Sequence, residues 1–452
     1  MSKPKRIIVV GGNAAGPAAA AKAKRTVPGA DVLLFEAGEF ISTGTCEIPY
    51  VLSGEIKDFK DILFFTPESF KIRKQVDVYA NHYVSGINTK EKFITADDVK
   101  LGRKSEFKYD KLVLATGSAA RPHTFLQSGF RNVFSLKNVG NLIAIKDYIS
   151  KNKVASAAVV GAGYIGLEAA DALNSLGIEV IILEKERLPL PSAEPEIGRL
   201  LSELFKNSGV RFFGNSSDFG INESGGKIVS VNIESRIIPV DLIITASGFV
   251  PNAALARQAG LEIGSTGAIK VSRKLQTSDP NIYAAGDCVE TINAVTGRPA
   301  YLPLATLAHV HGHIAGENAA GGSALTEPAV KVISMKVLNK YCVTVGLSES
   351  EASDFRFNYS SVYDVVPNLV EVMPESDKVF GKIIYERTGH RILGAAFIGG
   401  KEVSGYGDLI SAFIKIKQPA DILADLNYNY TPPLSPFVNL LSKLGRKIKQ
   451  QI

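Results

Sequence analysis

One pattern occurs twice in this chain and restricts its fold more than any other feature. Arg6-Ile-Ile-Val-Val10 and Ala157-Ala-Val-Val160 are short apolar runs, the composition of strands buried on both faces. Each run ends on a glycine, Gly11 and then Gly161, 150 residues apart. Each continues into a stretch with helical character. Each then reaches a second apolar run that closes on an acid, Val32-Leu-Leu-Phe-Glu36 and Val180-Ile-Ile-Leu-Glu184. Strand, glycine turn, helix and parallel strand make a βαβ unit. The chain is therefore expected to be α/β, with two Rossmann-like dinucleotide-binding folds.

The second turn carries the full fingerprint Gly161-x-Gly163-x-x-Gly166. The first glycine permits the tight turn, the second lets a pyrophosphate approach the backbone, and the third allows close helix–strand packing. The helix N-terminus offers free N–H groups and the positive end of its dipole to phosphate. Glu184, 23 residues beyond Gly161, is placed to accept bonds from an adenosine ribose. Its charge repels a 2′-phosphate, which favours NADH over NADPH, while nearby Lys185 and Arg187 soften that preference and leave NADPH possible. The first turn, Gly11-Gly-Asn-Ala-Ala-Gly16, replaces the middle glycine by Asn13, a residue that tolerates unusual backbone angles. Glu36 is its ribose partner. A lone glycine turn occurs in many α/β proteins; strand, helix and terminal acid in order narrow the choice.

A length of 452 residues suggests about three domains. From about Lys331 the pattern changes to short strands (332–337, 342–345, 382–385 and 392–397) with helical stretches such as 407–416, so a third, antiparallel α+β unit is expected. The basic stretch 443–449 is expected to be solvated. The expected divisions are 1–117 with 245–325, 118–244 and 326–452. No apolar run reaches the ~18 residues of a membrane span, and the apolar start at Ile7 ends too early for a signal peptide. A soluble, cytoplasmic protein without membrane partners is expected. The net charge of +6 is a weak bias, and no dense basic cluster interleaved with aromatics points to nucleic acid. Three cysteines, Cys46, Cys288 and Cys342, form neither a disulfide framework nor a CxxC pair, so no metal is expected.

Two further segments join the pattern. Tyr109-Asp-Lys-Leu-Val-Leu-Ala-Thr-Gly-Ser118 reads as a strand ending in a tight turn, and Thr277-Ser-Asp-Pro-Asn-Ile-Tyr-Ala-Ala-Gly-Asp287 as a strand leading to an acid. Together these segments resemble the two-dinucleotide-binding flavoproteins, the pyridine nucleotide–disulfide oxidoreductases. The resemblance implies FAD on the first fold, NAD(P)H on the inserted second fold and a C-terminal dimerisation unit. It implies a domain crossover at Ala115, Thr116 and Gly117, and a ribityl-holding acid at Asp287. It places Pro303, Leu304, Ala305 and Thr306 along the isoalloxazine. Further cofactor contacts are implied at Ala15, Gly16, Ala37, Ser42, Val84, Tyr164, Ile165, Glu168 and Gly248. Tyr164 is expected to gate the nicotinamide pocket, and Glu168, in the first helical turn, to orient groups beside it.

The family's disulfide branch carries Cys-x4-Cys, but here Val51 stands five residues after Cys46. Phe40-Ile-Ser-Thr-Gly-Thr-Cys-Glu-Ile-Pro-Tyr50 instead resembles the single-cysteine branch: coenzyme A disulfide reductases, NADH oxidases and peroxidases, and sulfur, polysulfide or persulfide reductases. Independently, Ser42 or Thr43 is expected to cap a helix starting near Cys46, so that the helix dipole favours the thiolate. Peroxide-handling relatives place a histidine in the first glycine loop, where this chain has Ala14. The resemblance implies a coenzyme A surface at Lys22, Arg25, Lys71 and Arg73. It also implies that Tyr430, in Asn427-Tyr-Asn-Tyr-Thr-Pro-Pro-Leu-Ser435, reaches across a homodimer to the partner's cysteine. The tyrosine pair expected upstream of Thr388-Gly-His-Arg-Ile-Leu-Gly394 is missing, since Val372-Met-Pro-Glu375 stands there. The activity expected is reduction of a small-molecule sulfur acceptor through Cys46. The rivals are an NADH oxidase working through a Cys46 sulfenate, and an FAD-bound redox sensor or electron carrier docked to a partner.

Overall fold

The computed structural model describes residues 5–121 and 129–451. Three five-stranded sheets organise it. The first is parallel, in the order Ile282–Ala284, Lys111–Leu114, Arg6–Val10, Asp31–Phe35, Asp77–Tyr79. The second is also parallel, in the order Val133–Ser135, Leu242–Thr245, Ser156–Val160, Glu179–Leu183, Val210–Phe213. The antiparallel pair Ser118–Ala120 and Phe249–Pro251 carries the chain out to the second sheet and back. This is the doubly wound α/β fold used twice, with the second copy inserted into the first. An antiparallel meander extends each copy, 82–108 in the first and 220–239 in the second. Sequence pattern gave no sign of either, because their exposed strands lack a clean apolar alternation.

Small residues set the closest helix packing. The helix Ala15–Thr26 lies against Ala305–Ala319. A Cβ on Gly312 would stand 2.3 Å from the Ala15 carbonyl oxygen, and one on Gly316 would stand 2.1 Å from that of Ala19. That contact seats the start of Ala305–Ala319 beside the first glycine loop.

The third sheet is antiparallel: Val332–Val337, Lys340–Gly346, Ile392–Gly399, Lys378–Glu386, Tyr359–Pro367. Its last strand was not anticipated, because edge-strand residues such as Tyr363 and Val365 remain exposed. The helices Val403–Ile416 and Leu440–Lys449 share a core with this sheet. The second of these corrects the expectation of a solvated basic tail. Leu440, Leu441, Leu444 and Ile448 recur at helical spacing and are fully buried. Lys443 and Lys447 fold back onto Asp364, and Lys449 onto Asp425.

The third sheet also packs on the second fold, where Met335, Cys342 and Phe380 join Leu167, Leu190 and Ile197 in one core. A buried charge cluster crosses the same junction. The Lys382 ammonium, 3% exposed, lies 2.7 Å from Glu194, 2.8 Å from Glu349 and 3.3 Å from Glu196. The Glu349 N–H donates to Glu194. Among the described residues no helix is long and apolar enough to cross a membrane.

Candidate active site

Both glycine loops and Cys46 line a single cleft of about 1580 Å³. At each loop the first glycine has a positive φ, +113° at Gly11 and +103° at Gly161. A Cβ there would meet a backbone carbonyl, 2.0 Å from Ala115 O or 2.6 Å from Ala246 O. The third glycine lies behind the loop rather than in the cleft. A Cβ on Gly16 would sit 1.7 Å from Gly11 O, and one on Gly166 1.9 Å from Gly161 O. The middle position faces open space. A Cβ on Gly163 would touch nothing within 4 Å. Asn13 does not use a left-handed conformation, contrary to the reason given for it above. Instead its side-chain oxygen accepts the Thr43 N–H at 3.1 Å and the Thr43 hydroxyl at 3.0 Å.

The two acids repeat one geometry. Glu36 accepts the Gly12 N–H at 2.6 Å and the Gly38 N–H at 2.7 Å. Glu184 accepts the Ala162 N–H at 2.6 Å and the Glu186 N–H at 3.0 Å. Each carboxylate braces its own glycine turn while lining the cleft. Two glycine cradles in one cleft, each braced by an acid at the end of its second strand, fit two dinucleotides.

Cys46 occupies a short 3-10 turn, Thr45–Glu47, between the loops. Its side chain is open to the cleft, whereas Cys288 and Cys342 are fully buried. The expected cap is not formed. Gly44 precedes the turn with no side-chain hydrogen bond, and the α-helix begins only at Ile48 and runs six residues to Ser53. Ser42, at φ +50°, donates its N–H to Gly12 O, and Thr43 is held by Asn13. The dipole expectation fails with the cap, because a six-residue helix starting two residues later offers little. Burial in the cleft wall pushes the Cys46 thiol above its ordinary value, and Glu47, Glu168 and Asp287 push the same way. Lys137 opposes them.

Glu168 is the fifth residue of the helix Tyr164–Ser175, one turn beyond the expected first turn. Burial raises its carboxyl to about 7, against hydrogen bonds from the Lys336 N–H and the Tyr50 hydroxyl. Tyr164 does not swing free. Its hydroxyl bonds Thr344 of the third sheet at 2.6 Å, and burial holds it at about 12. Asp287 accepts the Ser118 hydroxyl at 3.1 Å, and burial raises its carboxyl against Lys137 and Ser118.

Ala15, Ala115, Thr116, Gly117, Ile165, Gly248 and the run Pro303–Thr306 also line the cleft. Ala37, Ser42 and Val84 do not, and Val84 packs in the core behind Phe35. Tyr430 is exposed and packs edge-on against Phe437, away from this chain's own cleft. The basic residues are also outside it. Lys22 pairs with Glu317 at 2.8 Å and Lys71 with Asp77 at 2.7 Å, Arg25 lies 3.5 Å from His313, and Arg73 stands over Phe65. Lys137, Tyr50 and Lys336 were missed. Lys137 and Lys336 belong to no motif, and the fold alone brings them to the cleft, while Tyr50 closes the Cys46 segment without a signal of its bond to Glu168.

Similarity to known proteins agrees with this geometry. The family model for pyridine nucleotide-disulphide oxidoreductases matches residues 5–312. Over 431 residues, 95% of each chain, the protein is 32% identical to an NADH oxidase of Methanocaldococcus jannaschii. It is 31% identical over 446 residues, 98% of each chain, to an NAD(P)H sulfur oxidoreductase (CoA-dependent) of Pyrococcus abyssi. A solved NAD-dependent persulfide reductase from A. fulgidus superposes with a TM-score of 0.93 at 30% identity, covering 99% of this chain and 83% of that one. Matched in sequence, in fold and in its paired glycine cradles, the chain belongs to the pyridine nucleotide-disulphide oxidoreductases.

Proposed function

We propose that this FAD- and NAD(P)H-dependent oxidoreductase reduces a small sulfur acceptor, with Cys46 as its redox-active thiolate. The acceptor class is coenzyme A disulfide, coenzyme A persulfide, polysulfide or elemental sulfur. One observation carries the reading: Cys46 is the cysteine open to the cleft, between the two cradles, with valine rather than a second cysteine at position 51.

The Cys46 thiolate attacks one sulfur of R–S–S–R. The S–S bond breaks, one RS⁻ leaves with the bonding pair, and Cys46 is left in a mixed disulfide. Two electrons and a proton equivalent from NAD(P)H then release the second thiol and restore the thiolate. The sum is NAD(P)H + H⁺ + RSSR → NAD(P)⁺ + 2 RSH. When bound, FAD supplies the two-electron relay between the nicotinamide end of the cleft and Cys46. Gly11, Asn13 and Glu36 would hold it at one end, and Asp287 with the run from Pro303 to Thr306 at the other. Gly161, Gly163 and Glu184 would hold NAD(P)H, with Glu184 favouring NADH. Glu168 and Tyr50 form a bonded pair on the cleft wall, placed to hold a proton close to the sulfur chemistry.

The same proposal includes a cytoplasmic homodimer with the divisions 1–117 and 245–325, 118–244, and 326–452. In it the exposed Tyr430 donates a proton to a thiolate leaving the partner's cleft. Lys22 and Arg25, on the helix Ala15–Thr26 whose first residue lines the cleft, take the phosphates of coenzyme A, with Lys71 and Arg73 adding positive charge. The similarity to a named NADH oxidase favours oxygen reduction as the second reading. Stopped-flow turnover with one acceptor at a time tests the choice. Fast turnover with polysulfide or coenzyme A disulfide and slow turnover with oxygen supports the proposal. Equal rates with oxygen overturn it, and negligible turnover with every acceptor supports the sensor or carrier instead.

A further inference from the structure

The surroundings of Cys46 pose an electrostatic problem. Its neighbours Glu47, Glu168 and Asp287 are all acidic, and its short turn offers no helix dipole to offset them. A nucleophilic sulfur needs a cation there. Four lysines line the cleft: Lys137, Lys185, Lys331 and Lys336. Lys185 pairs with Glu186, Lys331 with Glu351 and Lys336 with Glu55. Among the described residues, Lys137 is the one of the four with no carboxylate within ion-pair distance. Its ammonium donates instead to the Ser118 hydroxyl at 2.8 Å and stands 3.9 Å over the face of Phe249. Ser118 in turn donates to Asp287 at 3.1 Å.

The position of Lys137 is fixed by its backbone. It belongs to the second dinucleotide fold, in the turn between Val133–Ser135 and the helix Val139–Lys151. Its N–H donates to the Asn141 side chain at 3.2 Å, and Asn138 and Asn141 close a capping box around it. The lysine therefore extends from the second fold to Ser118 and, through it, to Asp287 in the cleft that Cys46 also lines. A lysine ammonium is a compact charge; burial pushes the Lys137 ammonium below its ordinary value, while the negative charges of Asp287 and Cys46 favour its charged form.

We infer that Lys137 is the positioning cation that keeps Cys46 anionic and receives the negative charge of sulfur leaving it. The inference rests on the assignment of Cys46 as the working thiolate. The groups acting on this pair are Glu47, Glu168 and Asp287, all of which oppose the thiolate, and Lys137 is the cation that offsets them while also lowering the Asp287 carboxyl.

The test is the pH dependence of iodoacetamide alkylation of Cys46 in the FAD-loaded enzyme, read by peptide mass so that buried Cys288 and Cys342 do not contribute. Lys137→Met is expected to move the Cys46 inflection upward by about one pH unit or more, a tenfold loss of thiolate at fixed pH. Lys137→Arg, which retains the charge, is expected to stay close to the parent profile. Lys185→Met, which removes an exposed charge from the same cleft, is the control and is expected to leave the inflection in place. An unchanged inflection in Lys137→Met overturns the inference, and so does an Arg variant that shifts as far as the Met variant. The alkylation profile needs no acceptor, so it fails separately from the proposed activity, which is judged by turnover of Cys46→Ser.

Discussion

Lys382→Met is expected to loosen the junction between the second fold and the third sheet. Methionine nearly matches the volume of lysine, so packing is conserved and the charge alone is lost. Lys382 and Glu194 are 3% and 2% exposed, and both Glu194 and Glu349 lie within 2.8 Å of the ammonium. Breaking a buried pair by removing one partner costs about 3–5 kcal/mol, because the remaining charge stays buried. For 452 residues that corresponds to a fall of about 3–5 °C in the thermal midpoint. The pH dependence has a definite sign. Burial already holds the Glu194 carboxyl above its ordinary value despite the Lys382 bond, and loss of the cation raises it further. A carboxyl with a raised folded pKa stabilises the fold below its unfolded pKa and loses that contribution as pH rises through the folded one. The deficit of Lys382→Met is therefore expected to be largest at pH 8 and to shrink toward pH 5, and Glu194→Gln in the same chain should recover part of it. Differential scanning calorimetry of the FAD-loaded protein checks this. A shift under about 2 °C at pH 8, or a deficit that grows as pH falls, refutes the reasoning.

Three further outcomes follow from the cleft. Gly166→Ala places a Cβ 1.9 Å from Gly161 O, so the nicotinamide-side loop must shift. The KM for NADH should rise at least about tenfold while FAD content is retained, as measured by steady-state kinetics and absorbance. Glu168 has a carboxyl raised to about 7, so a pH–rate profile of kcat/KM should carry an inflection near neutrality that Glu168→Gln removes. The charged form is the disfavoured one in the fold, so the same substitution should stabilise the protein more at pH 8 than at pH 6. Tyr164→Phe removes the bond to Thr344 and should cost about 1 kcal/mol in thermal stability, with a small change in KM for NADH.

The parallel sheets were legible because both obey one strict order of strand, glycine turn, helix and acid, each part demanded by local stereochemistry. Gly11 and Gly161 could be read from sequence because a Cβ at either would strike a carbonyl, a constraint within one turn. The reason for Asn13 was not legible, since its partner Thr43 is 30 residues away. The surroundings of Cys46 misled for the same reason: Ser42, Thr43 and Cys46 are spaced like a capped helix, but Asn13 captures Thr43 and Gly44 interrupts the cap. The tail 443–449 reads as basic in composition, while its apolar residues at helical spacing bury against the sheet. Lys137 and Lys336 are invisible to pattern because they reach the cleft only when the folds pack, and Tyr50, four residues from Cys46, gave no sign of its partner Glu168 on another fold.

The claim that one sulfur carries the electrons is tested most directly by Cys46→Ser assayed in two halves. The account predicts that a single equivalent of NADH is still consumed at close to the parent rate. Steady-state oxidation of NADH with polysulfide or coenzyme A disulfide should fall roughly a hundredfold or more. Steady-state rates equal to the parent's would contradict it.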